Sequence, residues 1–253
     1  MLVNSKELFK KAQQGHYAIP SANVLDMESI KYHVGVAQEL GLPLIVGVAE
    51  AHLGDNLTLE DAALVGKKYA DAASVPVVLH LDHGMSVETC KKAIDLGFTS
   101  VMIDASMKSF EENVAITKEV VEYAKAKDVS VEAEIGHVAS NFDENDTDAL
   151  YTTAEEAKKF CEESGCDSLA ISIGTAHGVY KAKAIPEISF DRLAEIHAAT
   201  DVPLVLHGGS GSGDDNLNRC AKEGISKVNI YTDLYLAAME SADESGADRK
   251  SVV

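Results

Sequence analysis

The sequence lacks the features that mark membrane-spanning and exported proteins. No uninterrupted apolar stretch is long enough to span a bilayer. The first residues, Met-Leu-Val-Asn-Ser-Lys-Glu-Leu, have neither the charged start nor the apolar core of a signal peptide. The few cysteines show no paired or zinc-finger spacing, which predicts reduced thiols in a cytoplasmic protein. They are Cys90, Cys161, Cys166 and Cys220.

Basic residues are also scarce. The chain has 22 Lys and Arg against 41 Asp and Glu, a formal net charge of −19. This balance argues against nucleic acid and anionic membranes as partners and leaves a small molecule as the expected partner. If that molecule is an anion, the site must create positive potential locally, with a metal, helix N-termini or a lysine.

One pattern repeats about eight times along the 253 residues: a β-rich run, a polar joint and a helical stretch. The runs are nearly continuous in Val, Ile, Leu and Ala, as in parallel strands buried on both faces. No G-x-G-x-x-G follows the first run, which weakens the alternative of a doubly wound dinucleotide-binding sheet. The pattern predicts α/β architecture: one (β/α)8 TIM-barrel domain over residues 1–253. The predicted strands are Tyr17–Val24, Pro43–Val48, Val75–Asp82, Ser100–Asp104, Val129–Gly136, Ser168–Gly174, Pro203–Gly208 and Lys227–Thr232.

Three histidines, His83, His177 and His207, each lie at or just beyond the carboxyl end of a predicted strand. The carboxyl ends of barrel strands meet at one face, so these imidazoles can converge on one ion. Three imidazoles with an open position form a catalytic metal site rather than a structural one. By strand alternation His80 shares a face with Asp82, which predicts an inward-facing, hydrogen-bonded barrel residue and makes His83 the better ligand.

Three carboxylates end predicted strands beside these histidines. Asp82 points toward the barrel mouth, where it can move a proton to or from a substrate oxygen. Asp104 and Glu134 end the fourth and fifth strands. They could orient the ligands, form a second metal position, or serve as structural ion pairs or caps.

A glycine-rich loop follows the seventh strand, and Asn229 and Thr232 close the eighth. TIM barrels commonly bind phosphate with these two loops, through backbone N–H groups and a helix N-terminus. Ser210 and Thr232 add hydroxyl donors, and Lys181 could add a cation. The alternatives are a flexible turn and a solvated surface lysine.

These motifs together resemble the class II, zinc-dependent fructose-bisphosphate and tagatose-bisphosphate aldolase family, from the N-terminus to about Leu236. The matching stretches are Leu-His-Leu-Asp-His-Gly, Ser-Val-Met-Ile-Asp-Ala-Ser, Val-Glu-Ala-Glu-Ile-Gly, Ala-Ile-Ser-Ile-Gly-Thr-Ala-His-Gly-Val-Tyr-Lys, Leu-Val-Leu-His-Gly-Gly-Ser-Gly and Lys-Val-Asn-Ile. The resemblance implies a TIM barrel that cleaves a ketose bisphosphate into dihydroxyacetone phosphate and an aldehyde, or runs the reverse condensation. Zinc would polarise the carbonyl and stabilise the enediolate.

Carried over residue by residue, the resemblance assigns Asp82 as the acid that protonates the nascent C4 oxygen. It makes His83, His177 and His207 the zinc ligands, with Asp104 and Glu134 beside the metal. The pocket for dihydroxyacetone phosphate and a monovalent cation (Na⁺ or K⁺) would comprise Asn23, Gly178, Lys181, Gly208, Gly209, Ser210, Asn229 and Thr232.

The chain departs from the family pattern in four places. Gly47 and Ala49 lie where many members have Ser and Gln, and Tyr231 replaces the usual Asp or Ala. The loop over residues 136–146 lacks the common Gly-Gly-x-Glu-Asp pattern, so Asp143 and Glu144 are both candidates for the proton-abstracting base. The C-terminal helices are shortened after about residue 240, whereas a complete C-terminus would imply a homodimer or homotetramer.

Three functions follow from these observations. The first is a zinc aldolase acting on fructose 1,6-bisphosphate, with glyceraldehyde 3-phosphate as the aldehyde product. The second is an aldolase acting on tagatose bisphosphate or a deoxy-keto-gluconate phosphate, suggested by Gly47, Ala49 and Tyr231. The third is a non-catalytic sugar-phosphate binder.

Overall fold

The computed structural model describes residues 1–136, 151–175 and 187–245. In these residues eight parallel strands form a closed barrel in chain order, with the eighth strand paired to the first. This architecture confirms the predicted TIM barrel. The strands are β1 Ile19–Asn23, β2 Leu44–Ala49, β3 Val77–Gly84, β4 Ser100–Ile103, β5 Ser130–Ile135, β6 Ser168–Ile171, β7 Leu204–Leu206 and β8 Ile225–Ile230.

Helices surround the barrel, and a Ser, Thr or Asp side chain caps the first turn of five of those described. They are α1 Lys6–Gly15, α2 Met27–Leu40, α3 Leu59–Ala72, α4 Val87–Leu96, α5 Phe110–Lys125, α6 Ala154–Ser164, α7 Phe190–Ala199, α8 Asp214–Lys222 and α9 Thr232–Ser245. Ser109 and Thr153 form capping boxes at the starts of α5 and α6, as their sequence spacing predicts. None of the helices in the described ranges combines the length and apolarity needed to cross a bilayer.

The core has two parts. Apolar side chains fill the space between the barrel and the helices, as expected for strands buried on both faces. A separate cluster lies inside the barrel at its amino end, where α1 packs across the opening. It comprises Leu8, Phe9 and Ala12 of the helix with Ile19, Ile45 and Val78 of the strands. The polar residues of the site lie above this apolar plug.

Strand β3 contains an irregularity that matters for the site. Its pairing with β4 shifts between Leu81 and Gly84, and His83 has a positive φ of 47°. Regular alternation would send His83 away from the face that Asp82 occupies. The irregularity turns the ring back toward the barrel mouth. The predicted strand ended at Asp82, whereas the observed strand runs on through His83 to Gly84.

We expect Gly84→Ala to destabilise the protein, because a Cβ at this position would lie 2.6 Å from the carbonyl oxygen of Met102 and 2.8 Å from Sγ of Cys90. A backbone oxygen cannot rotate away, so overpacking of this kind costs about 1–3 kcal/mol. Chemical denaturation measures the change. Gly54→Ala is the matched control, since nothing lies within 4 Å of its Cβ position. Equal stability of the two variants would contradict the close packing at Gly84.

Candidate active site

Two imidazoles meet at the carboxyl end of the barrel. Nε2 of His83 lies 2.9 Å from Nδ1 of His207, and the ring centroids are 4.6 Å apart in an edge-to-face arrangement. His83 comes from the irregular end of β3 and His207 directly follows β7. The structure therefore brings together two of the three histidines that the sequence singles out, although they are 124 residues apart.

Each of these rings is held from behind by a carboxylate. Nδ1 of His83 lies 2.9 Å from Asp104, and Nε2 of His207 lies 2.9 Å from Glu132. An ionised carboxylate only accepts hydrogen bonds, so these outer ring nitrogens are the ones that carry hydrogen. The inner nitrogens face each other, so both lone pairs would be directed toward a common point once His83 gives up its second proton. Histidine ligands of metals in proteins have this arrangement, and the residues therefore fit a metal ion.

A second group of candidate ligands overlaps the first. One ligand atom each from His83, Asp104 and Glu134 lies within 4.8 Å of the others, as do atoms of Asp82, His83 and His207. The two groups share His83. Glu134, at the end of β5, is buried, and the amide of Asn113 bonds its backbone oxygen at 2.8 Å. The positions of Asp104 and Glu134 are therefore compatible with both predictions, a second metal position and a role in orienting the ligands.

Asp82 is held by two amides. Nδ2 of Asn23 donates to one carboxylate oxygen at 2.7 Å, and Nδ2 of Asn229 donates to the other at 2.9 Å. These residues come from β1 and β8, the two strands that close the barrel. The clamp fixes the plane of the carboxylate and stabilises its ionised form. Asp82 is almost completely buried, with 2% of its surface exposed.

The charges in the site are strongly coupled. Burial alone would lower the pKa of His83, but the charge of Asp82 and the hydrogen bond to Asp104 outweigh it and raise that pKa to about 9. Burial and the charge of His83 lower the pKa of His207. Burial opposes ionisation of Asp82, yet His83 and Lys227 hold its pKa well below the usual value. His83 is therefore a cation that donates to His207.

Below the imidazoles lies a layer of polar residues that includes His80 and two residues not predicted from the sequence, Glu132 and Lys227. Nζ of Lys227 bonds both oxygens of Glu132, at 2.8 and 2.7 Å, and lies 3.1 Å from Nε2 of His80. Nδ1 of His80 lies 2.8 Å from Oγ of Ser100, so His80 is the buried, hydrogen-bonded residue that alternation predicts. The same rule could have found the other two, because Glu132 precedes Glu134 by two residues and Lys227 precedes Asn229 by two.

The glycine-rich loop after β7 is bonded to itself, to β8 and to α9. The backbone N–H of Ser212 donates to the oxygen of Gly209 at 3.2 Å, and that of Gly209 donates to the oxygen of Asn229 at 3.1 Å. The backbone N–H of Gly211 donates to the carboxylate of Asp233 at 3.1 Å. Oγ of Ser210 accepts from the backbone N–H groups of Tyr231 and Asp233. This hydroxyl therefore joins the loop to the start of α9, where Thr232 is the first residue. A phosphate bound here would use the remaining donors and the positive end of α9.

One further histidine borders the site and was not predicted. His52 lies in a short 3-10 turn after β2, and its ring stacks on that of Tyr231 with centroids 4.7 Å apart. Burial lowers its pKa. In the neighbouring strand, Gly47 leaves room for Asn23, since a Cβ at position 47 would lie 3.5 Å from its amide nitrogen and 3.0 Å from Oγ of Ser21.

Several predicted residues lie outside the described part of the chain. They are His177, Gly178 and Lys181, together with the candidate bases Asp143 and Glu144.

A closed barrel with imidazoles, carboxylates and a glycine-rich loop at its carboxyl end defines a TIM-barrel protein with a candidate metal site at the catalytic face. The model of the family "Fructose-bisphosphate aldolase class-II" matches residues 3–252. The chain belongs to the class-II fructose-bisphosphate aldolase family, which confirms the resemblance seen in the sequence.

Individual relatives agree with this assignment. The chain is 39% identical over 244 residues to a fructose-bisphosphate aldolase of Staphylococcus aureus strain Mu50, a match that covers 95% of this chain and 84% of that protein. The YdjI aldolase of Escherichia coli K12 is similar in structure, with a TM-score of 0.88 and 36% identity over 100% of this chain and 90% of that one. A fructose-bisphosphate aldolase of Campylobacter jejuni has a TM-score of 0.76 and 26% identity, over 96% and 82% of the two chains.

We expect the binding of a divalent metal to both inner ring nitrogens to release a proton from the protein. The pKa of His83 is raised to about 9, so at about pH 7 the ring holds a proton that the metal must displace. Titrating zinc into weakly buffered protein and recording the pH measures the release. The release should decline as the starting pH rises through the pKa of His83. Zinc binding without acidification at neutral pH would contradict this arrangement.

Proposed function

We propose that the protein is a metal-dependent aldolase that reversibly cleaves a ketose 1,6-bisphosphate, with fructose 1,6-bisphosphate as the first candidate substrate. The products would be dihydroxyacetone phosphate and an aldehyde such as glyceraldehyde 3-phosphate. The observation that supports this most directly is the clamped Asp82 carboxylate next to two imidazoles whose inner nitrogens face each other. Family membership supports the same reaction class.

Asp82 would move the proton at the C4 oxygen. Its charged form is favoured in the site, so in the cleavage direction it accepts the proton of the C4 hydroxyl as the bond between C3 and C4 breaks. In the condensation direction the same carboxyl returns that proton to the new oxygen. The amides of Asn23 and Asn229 keep both carboxylate oxygens in place during these transfers.

His83 and His207 would hold the metal, and zinc is the ion that their residue type and the family favour. When bound, the metal supplies a Lewis acid that stabilises negative charge developing on a carbonyl oxygen. Asp104 and Glu132 keep the two rings in the ligating orientation through the outer nitrogens. His177 is proposed as the third ligand from the sequence alone.

The phosphate of dihydroxyacetone phosphate would bind at the loop after β7 and the start of α9. Gly208, Gly209 and Ser210 would bring backbone and hydroxyl donors close to it, and Thr232 lies at the positive end of the helix. This local arrangement would offset the unfavourable net charge of −19 of the whole chain.

An aldolase acting on another phosphorylated ketose is the second candidate. The ring of Tyr231 against His52 gives the β2 and β8 side of the mouth an aromatic wall. Turnover on the bisphosphates of fructose and tagatose and on deoxy-keto-gluconate phosphate separates the candidates. Fastest cleavage of the fructose compound supports the first, and fastest cleavage of one of the others supports the second.

Chelation should abolish cleavage. Since we propose that a bound metal stabilises the charged transition state, dialysis against EDTA should reduce activity to background, and added zinc should restore it. Circular dichroism before and after dialysis controls for unfolding. Full activity in protein that contains no metal by elemental analysis would rule out the proposed mechanism.

Asp82→Ala should reduce kcat by about 10²–10⁴-fold, the usual contribution of a positioned acid–base group. Zinc affinity should change much less, because the imidazoles keep their carboxylate partners. Steady-state kinetics and a zinc titration give the two numbers. Asp55→Ala, at an exposed position, is the matched control and should behave as the unaltered protein. A normal kcat in the Asp82→Ala variant would show that Asp82 takes no part in the reaction.

A further inference from the structure

The barrel interior contains a fully buried ion pair between Lys227 and Glu132. Lys227 is 0% exposed and Glu132 is 1% exposed. The ammonium bonds both carboxylate oxygens, at 2.8 and 2.7 Å. His80 lies on the other side of the ammonium, 3.1 Å away, and is itself buried. Because the ammonium can only donate, Nε2 of His80 accepts and its Nδ1–H donates to Ser100.

Stability alone is a poor explanation for these charges. Removing both ions from water has a large desolvation penalty, and buried ion pairs can often be replaced by apolar residues without loss of stability. Barrel interiors are usually filled with branched apolar side chains. This barrel uses them one layer lower, where Ile19, Ile45 and Val78 pack against α1. The ion pair therefore occupies an interior layer of the kind that apolar side chains fill in most barrels.

Geometry connects the ion pair to the imidazoles above it. Oε1 of Glu132 accepts from Lys227 and also lies 2.9 Å from Nε2 of His207. Two hydrogen bonds from one ammonium fix the plane of the carboxylate, so Oε1 is directed at the ring. The hydrogen of His207 is thereby kept on Nε2, and the lone pair of Nδ1 faces Nε2 of His83.

We propose that Lys227 and Glu132 are positioning residues that hold His207 in the tautomer and orientation needed for metal binding. Neither residue would touch metal or substrate, because both act through His207. The inference rests on the proposed function, since it requires a metal ligand at His207. It assigns a role to Lys227 of the Lys-Val-Asn-Ile motif, which the proposed reaction does not otherwise use, and explains how Glu132 of the Val-Glu-Ala-Glu-Ile-Gly motif is itself held in place.

The test compares Glu132→Gln, Lys227→Met and the double variant E132Q/K227M. The double variant removes both charges while keeping similar shapes, so it should be more stable to denaturant than Lys227→Met, which leaves an unpaired carboxylate. Cobalt(II) is the probe, because its affinity and visible absorption spectrum report the ligand geometry without any activity assay. We expect the double variant to bind cobalt(II) about 10–100-fold more weakly, as for other partners of metal ligands, with an altered spectrum.

The outcomes are distinct. A double variant with the cobalt(II) affinity and spectrum of the unaltered protein would show that the pair only balances charge, and would overturn the inference. Glu132→Gln provides a second measurement if the double variant does not fold, because it leaves Lys227 in place and keeps the shape of the Glu132 side chain. It too should bind cobalt(II) at least about tenfold more weakly, and unchanged binding would equally overturn the inference.

Ser226→Ala is the matched control on β8. Ser226 is also fully buried and directly precedes Lys227 in β8. Its hydroxyl has no hydrogen-bond partner among the described residues, so we expect its cobalt(II) affinity to stay within about twofold of the unaltered value. If the unaltered protein itself binds neither cobalt(II) nor zinc, the proposed function fails, and the inference fails with it. That result differs from unchanged cobalt(II) binding in the variants, which would overturn the inference and leave the proposed function intact.

Discussion

The contact on which the site depends is the approach of His83 to His207, with each ring tied from behind to a carboxylate. Two imidazoles with lone pairs directed at one point repel each other unless a cation lies between them. Here the cation is the extra proton of His83, stabilised by the surrounding carboxylates. The same negative surroundings that raise its pKa would favour a divalent metal. The middle of the barrel mouth therefore favours the binding of a positive charge.

The barrel supports this contact from below because the inward-facing residues of its strands are stacked in layers, whereas the irregular end of β3 turns His83 toward His207. Every second residue of β3, β5 and β8 points inward, which stacks His80 below Asp82, Glu132 below Glu134 and Lys227 below Asn229. The lower members of these pairs form a charged layer, and the upper members reach the mouth. One layer therefore supports the next, from the apolar plug through the ion pair to the residues proposed to meet substrate.

Much of the fold could be predicted because it follows from local chemistry. Apolar runs separated by capped helices are sufficient to indicate a barrel, and the closed eight-strand order confirms it. Within the site, the sequence singled out Asn23, Asp82 and Asn229, and the structure shows that both amides donate to the Asp82 carboxylate. Their pairing depends on closure of β1 against β8, which no local pattern specifies. The catalytic and ligand roles of these residues stay predictions.

Two features could not be predicted from the sequence, and the reasons are physical. The direction of His83 depends on a positive φ in a non-glycine residue, which tertiary contacts impose and the sequence pattern does not reveal. The pairing of Lys227 with Glu132 joins residues 95 apart, and a lysine within a strand is more often read as exposed. Alternation indicates that both point inward, but only the closed barrel shows that they meet.

The α1 helix across the amino end has one further consequence. Since Leu8, Phe9 and Ala12 pack against the strands at that end, the described residues leave the carboxyl end as the route from solvent to the two imidazoles. Under the proposed function, an ion at the imidazoles and a sugar phosphate above it would share this route. Binding would then be ordered by access: the ion would arrive first and leave last, and a bound sugar phosphate would shield it from exchange with the medium.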